Sequence, residues 1–399
     1  MLRGCPAGRR TTAVRPADHR GRTMTDRTET GRTETVDGGL VVEELVVPAT
    51  MDDDPELVRA FSDWLAVSDA AEVAVHGLPE LPWTPAEYLP MCHEPGSPSR
   101  LFVVRDDTGA VVAAGAYDSK TAPGTTNCWL SLGVRPDRQR QGLGTLLADH
   151  LEQLARAEGR TQWKTYAVSR QVGPGTGPAY RQAPTGSGAV PEDEAAVRFL
   201  AGRGWRFGQV NRISRLQLPA DPSVVRGLHD RAATAAGPGY RVHTWTGTTP
   251  ERWLDDLALL HTRMSTDTPE GDMQEPEDVW TADRVRGSEE QLATGPHTML
   301  TVAVEHVEST TLAGFSQLKV PDDPSRAVMQ WDTLVLREHR GHRLGWLLKV
   351  VGIETVERDF PGRPSIVTFN AEENRPMLDV NEAVGFVGVG SEGIWEHRD

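Results

Sequence analysis

Three cysteines in 399 residues, Cys5, Cys92 and Cys128, are odd in number and far apart, which argues against a disulfide framework or a cysteine-based zinc site. Reduced thiols in a cytoplasm are their expected state. No His-Glu-x-x-His pair and no cluster of metal ligands is visible, so no metal is expected. No apolar run approaches the roughly 20 residues that cross a bilayer, so no membrane association is expected. Positive charge is also scarce, with 42 Lys and Arg against 57 Asp and Glu and a net charge of −15. A nucleic-acid surface needs clustered cations, and this balance argues against one. It is compatible with a cationic small-molecule partner.

What the chain does have is a glycine loop between a strand pattern and a helix pattern. Gln139-Arg140-Gln141-Gly142-Leu143-Gly144 follows the apolar stretch 129–134 and opens, at Thr145, a helical stretch that runs to 157. Two glycines let the main chain turn tightly and approach a ligand closely. Successive N–H groups and the positive end of the helix dipole then face one point, which suits a pyrophosphate. Leu147 stands where a dinucleotide fingerprint needs a third Gly or Ala, and no Gly-Lys-Ser/Thr follows. The bland alternative is a helix start that merely contains two glycines.

The chain repeats this unit about 200 residues later. His339-Arg340-Gly341-His342-Arg343-Leu344-Gly345 follows the apolar stretch 331–336 and opens a helix pattern at 346–356. Strand patterns precede both loops (101–104 and 111–116; 300–304 and 312–317), and Asp106-Asp107-Thr108-Gly109 has hairpin chemistry. A strand follows each loop (162–168; 365–369), and then a helix closes on Gly204-Trp205 or Gly385-Phe386. Loop glycine to closing glycine is 60 residues in the first copy and 40 in the second. The excess falls in 171–191, whose five Gly and four Pro read as a flexible excursion.

These loops resemble the acetyl-coenzyme A loop of GNAT-type N-acetyltransferases, whose pattern is Gln or Arg, two residues, Gly, one residue, Gly or Ala. In layout the chain is similar to the mycothiol synthases, which are also tandem pairs. The fold implied is α+β, two tandem GNAT-like domains, each a mixed and mostly antiparallel sheet flanked by helices. The divisions expected are a disordered tail at 1–39, a first domain at 40–218 and a second at 240–399. Residues 219–239 form the linker, with one short helix near 224–235. Residues 1–23 read either as a transit-type segment or, more simply, as an extension upstream of Met24.

The resemblance implies acetyl-coenzyme A as cofactor and a small amine, cationic by the charge argument, as acceptor. Gln139, Arg140, Gln141, Gly142, Gly144 and Thr145 would hold the pyrophosphate in the first domain; Arg340, His342, Arg343 and Gly345 would do so in the second. Arg343 stands in place of the first loop glycine. The pantetheine arm would lie where the loop-bearing strand splays from the next, along Leu132 and Val134 in one domain and Leu334 and Leu336 in the other. A strand N–H there would polarise the thioester carbonyl. Asn374 fits a family position that contacts the cofactor, and it also suits a helix cap. The family's tyrosine general acid has no counterpart: Leu200 and Asn381 stand at its two positions.

An amine titrating near ~10.4 must lose a proton before it attacks. Asp332, an acid in an otherwise apolar strand, is the candidate base, and the bland alternative is a solvated strand-end carboxylate. The stretch 267–278 carries six carboxylates, among them Asp267, Glu270 and Asp272, and reads either as a solvated loop or as a cation-recognising lip. The rival to an enzyme is a non-catalytic acyl-coenzyme A binding or scaffolding protein with degenerate domains.

Overall fold

The computed structural model describes residues 34–35, 40–94, 96–122, 124–170, 179–267 and 277–398. In the first half β1 (Glu34–Thr35) and β2 (Val41–Leu45) lead into α1 (Pro55–His76) and α2 (Pro85–Cys92). A meander follows, β3 (Ser99–Arg105), β4 (Val111–Asp118) and β5 (Asn127–Val134), then α3 (Leu143–Ala157) and β6 (Gln162–Arg170). The hairpin β7 (Tyr180–Gln182) and β8 (Ala189–Pro191) precedes α4 (Ala195–Gly202) and β9 (Arg206–Gln217). After α5 (Pro222–Ala236) the second half repeats the plan: β10 (Tyr240–Thr246), α6 (Leu254–Asp267), α7 (Ala282–Leu292), β11 (His297–His306), β12 (Thr311–Pro321) and β13 (Val328–Val335). It ends with α8 (Leu344–Asp359), β14 (Ser365–Ala371), α9 (Arg375–Val384) and β15 (Val387–Arg398).

Strand alternation explains the layering. Leu101 and Val103 of β3 pack under Phe61 and Trp64 of α1, while Phe102 and Val104 pack on Leu147 and Leu151 of α3. The second half does the same, with Ala303 under Leu257 and Leu260 of α6, and Val302 and Val304 on Leu347 and Leu348 of α8. The Trp64 indole donates to the Gly115 carbonyl (2.9 Å) and fixes the height of α1 over the sheet. The turn at Asp106–Gly109 forms as its chemistry requires, with the Asp106 carboxylate accepting from the Thr108 and Ala110 amides and Gly109 at φ 83°.

Two features depart from the sequence reading, while the helix expected in the linker is present. Instead of two separate sheets, one sheet runs β1-β2-β3-β4-β5-β6-β15-β9-β14-β13-β12-β11-β10. The last strands are exchanged: β15 of the second half pairs with β6, and β9 of the first half pairs with β14. A boundary after residue 218 therefore cuts the chain but not the sheet. Residues 179–191, expected within the flexible excursion, form a hairpin because Val190 and Ala183 are apolar enough to enter the first core; 171–178 lie outside the described residues. The linker is mostly α5, capped by Asp221 and packed through Val225 and Leu228 into the second core. The tail 1–39 lies outside the described residues apart from 34–35.

Candidate active site

In the first half β5 and β6 run parallel and pair only at Asn127, Cys128 and Trp129, then part. The β5 edge from Leu130 onward is left without β6 partners, and a cleft of about 590 Å³ opens between the strands. Leu132, Val134, Gln139, Arg140, Gly142, Gly144 and Thr145 all line it. Gln141 is exposed beside the loop and accepts from Arg138, which is itself held by Asp106 (2.8 Å). Arg140 makes no ion pair among the described residues.

The loop turns on two left-handed residues two apart, Arg140 (φ 63°) and Gly142 (φ 84°). A Cβ added at Gly142 would meet nothing within 4 Å, so that conformation, not crowding, is what calls for glycine. The second loop makes the same turn with Gly341 (φ 89°) and Arg343 (φ 56°). The glycine has changed place and the backbone has not. Arg343 thus occupies the cap position of α8 that Gly142 occupies on α3.

Around the second loop the surroundings differ. Asp267 is nearly buried and pairs with Arg337 (3.1 Å) and Arg340 (2.9 Å). It therefore holds the loop's own cations and is not a lip for an acceptor; Glu270 and Asp272 lie outside the described residues. Strands β13 and β14 pair only at Val328 and Met329, but the gap beyond is about 190 Å³. Lys349 lines it, 2% exposed, at the position on α8 that Ala148 holds on α3. Leu334 and Leu336 do not face the gap, because alternation turns them into the core with Leu257 and Phe315. Gly345 is half-buried on α8, and exposed His342 lies against the Tyr240 ring. Asn374 sits at the cap of α9 without making a side-chain capping bond, and it lines the gap.

The first cleft meets a second cavity of about 350 Å³ at Glu72, Tyr166 and Val168, which line both. Asp69, Glu72 and His76 of α1 enter this cavity from one helix face, Glu392 comes from β15, and Asp332 from β13. Trp83, Trp331 and Phe369 supply aromatic walls. α1 can reach so far because Gly133 lets it approach: a Cβ there would lie 3.1 Å from that of Ala71. The Tyr166 hydroxyl donates to Glu72 (2.7 Å), and the Glu72 charge and burial keep the phenol protonated. Burial raises Glu72, and burial with the neighbouring Glu72 pushes Glu392 up to about 8. Asp69 is pushed to about 7 by burial and then by Glu72. Burial lowers His76, which disfavours a positive charge on it. The cavity is a set of carboxylates short of positive charge.

Asp332, expected as the base of the second half, lies on the wall of this cavity and of the smaller gap, 3.5 Å from His261. Leu200 is buried in the first core, and Asn381 donates to Asn370 (2.7 Å), so neither site offers a phenol. The sequence reading missed Glu72, Asp69, Tyr166 and Glu392. For two of them a signal existed: Asp69, Glu72 and His76 recur at i, i+3, i+7 on a helix that packs on the sheet. Nothing in the sequence could bring Glu392 here, since that depends on the strand exchange.

Residues 64–169 match the Acetyltransferase (GNAT) family. Among solved structures, a tandem GNAT protein from the clavulanic acid biosynthesis pathway shares 25% identity, with 90% of this chain and 98% of that one covered and a TM-score of 0.66. A GCN5-related N-acetyltransferase from Sphaerobacter thermophilus is 13% identical over 91% and 97% of the two chains, with a TM-score of 0.57. Searched against curated proteins, the sequence has no significant match. Among the described residues no helix is long and apolar enough to cross a membrane, and no cluster of His, Cys, Asp and Glu could hold a metal ion.

Proposed function

We propose that the chain, whose residues 64–169 match the GNAT family and whose fold resembles a tandem GNAT protein, moves the acetyl group of acetyl-coenzyme A to a small cationic amine, and that the first half carries the reaction. The observation behind this reading is that two cavities share a wall: Glu72, Tyr166 and Val168 line both the cleft at the Gln139–Thr145 loop and the carboxylate cavity. The residues present suit the cofactor. The glycine loop and the α3 N-terminus favour a pyrophosphate, Arg140 beside it makes no ion pair among the described residues, and the β5 edge beyond Trp129 offers backbone groups to an extended arm. When bound, acetyl-coenzyme A supplies an activated acyl carbon and a thiolate leaving group.

The chain's own groups then handle the proton. An acceptor ammonium entering among Asp69, Glu72 and Glu392 supplies the missing positive charge and draws these acids into their ionised forms. Glu392, whose raised basicity comes nearest the amine's, would take the ammonium proton and leave a neutral amine able to displace the coenzyme A thiolate from the acetyl group, the thiolate leaving with the second amine proton. Tyr166 remains protonated and orients Glu72. Asp332 and the aromatic walls hold the rest of the acceptor. The buried free thiols of Cys92 and Cys128 accord with the reducing cytoplasm.

Free thiol released from acetyl-coenzyme A across a panel of mono- and diamines tests this reading. Amine-dependent release is expected. Tight cofactor binding with no release for any amine would favour the acyl-coenzyme A binding protein.

A further inference from the structure

We infer that the small cavity between β13, β14 and α9 in the second half binds a small organic carboxylate, with Lys349 as its cation. The side chain of Lys349 is 2% exposed, and among the described residues it makes no hydrogen bond or ion pair; its recorded neighbour is the Phe386 ring at 5.6 Å. A buried ammonium in that state is expensive and calls for an anion. The lining offers the Asn370 and Asn374 amides and the Thr368 hydroxyl, while the Asn211 amide serves Glu392 and the Thr333 hydroxyl is engaged with Ser316 (2.7 Å). Asn370 accepts from the Asn381 amide through Oδ1 (2.7 Å), which leaves its own Nδ2 donors for the cavity. Asn374 has no capping bond to make, so its side chain is free as well. The positive end of α9 adds to the field, because Asn374 and Met377 border the cavity.

Size and charge narrow the class. At about 190 Å³ against 590 Å³ in the first half, the space suits a ligand of a few heavy atoms and not a pantetheine arm. Asp332 also lines the wall, and its carboxylate disfavours a dianion such as phosphate. Trp331 and Phe369 offer apolar surface to a short carbon body. The titratable groups facing Lys349 are few: Asp332 on β13, with His261 of α6 behind it (3.5 Å), while β9, β14 and α9 present amides, a hydroxyl and apolar groups. Burial lowers the Lys349 amine to about 7, so a carboxylate binds its protonated form and should be held less well in alkaline solution.

Thermal melts and calorimetry on the full chain with acetate, propionate and pyruvate, against propionamide and inorganic phosphate, test the proposal. At pH 6 a carboxylate should raise the melting temperature saturably, and its affinity should fall on the order of tenfold or more at pH 8.5 as the amine deprotonates. Lys349→Met should abolish the effect while leaving the unliganded melting temperature equal or higher, since an apolar chain replaces a buried amine. His261→Gln should keep the pH dependence. No response to any carboxylate, an equal response in Lys349→Met, equal binding of propionamide, or stabilisation by phosphate alone would each overturn it.

Discussion

The two clefts share a loop geometry and differ in what grows into them. The first places Ala148 where the second places Lys349, and leaves Arg140 without an ion pair among the described residues where the second pins Arg337 and Arg340 with Asp267. The loops themselves are equivalent enough that the glycine has changed places with an arginine at no cost in shape. A phosphate-type loop thus sets where a cofactor can start, and the neighbouring helix and strand decide whether it can go further. On that comparison the first half reads as the catalytic one, although the more conspicuous lone acid, Asp332, belongs to the second.

The largest effect should come from Glu392→Gln, which should lower turnover by roughly 10²–10⁴-fold with acetyl-coenzyme A affinity unchanged, as read by thiol release and calorimetry. The same variant carries a stability signature of opposite sense. Burial raises Glu392 from 4.5 to about 8, so the folded chain holds a proton that the unfolded chain releases, and unliganded stability falls as pH rises across that window. Glu392→Gln should flatten that fall and melt higher than the parent at pH 8. A variant that keeps full turnover would return the reaction to Asp332 and the second half.

Gly142→Glu puts a carboxylate against the pyrophosphate and should cost acetyl-coenzyme A at least ~100-fold in affinity, since repulsion replaces a dipole contact. Arg343→Glu, the mirrored change, should leave affinity and a stoichiometry of one unaltered in calorimetry; loss of binding there would mean the second cleft is used. Copying the second half's obstruction into the first, Ala148→Lys, should weaken cofactor binding about tenfold, in line with ~1–3 kcal/mol for overfilling a packed site. The smallest effect should be Arg343→Gly, which relieves a left-handed residue but loosens the unfolded chain, a net gain of about 0.5 kcal/mol by denaturant melts. A clear loss of stability would show that the Arg343 side chain does more than take a turn.

Much of the fold was legible because it is periodic and doubled. The loops at Gly142 and Gly345 fix two strand-to-helix junctions, and the apolar alternation on either side of them predicts β3 to β6 and β11 to β14 closely. The hairpin at 180–191 was not, since its two Pro and two Gly break any periodicity and Val190 and Ala183 anchor it in the core. α2 was missed for a similar reason: eight residues with Pro90 inside carry little periodicity, and its capping box at Thr84 and Glu87 was the available signal. In the site, cofactor-loop residues could be read locally, whereas Glu392 and Glu72 meet only through a strand exchange that no local pattern records. Asp267 misled because an acid near a loop of acids looks like a surface lip until its arginine partners are seen.

The exchange of β9 and β15 also sets a schedule for synthesis. On a ribosome the first half emerges with its helices and meander complete, yet the gap between β6 and β9 stays open until β15, at the far end of the chain, follows. Two long strand edges wait meanwhile for a partner, the state in which a nascent chain is most open to pairing with a stranger. A frameshift or stop at the first codons of β15 would spare every loop and helix of the first half and still delete both the strand that seals it and Glu392. The second half thereby supplies a strand without which the sheet of the first half does not close.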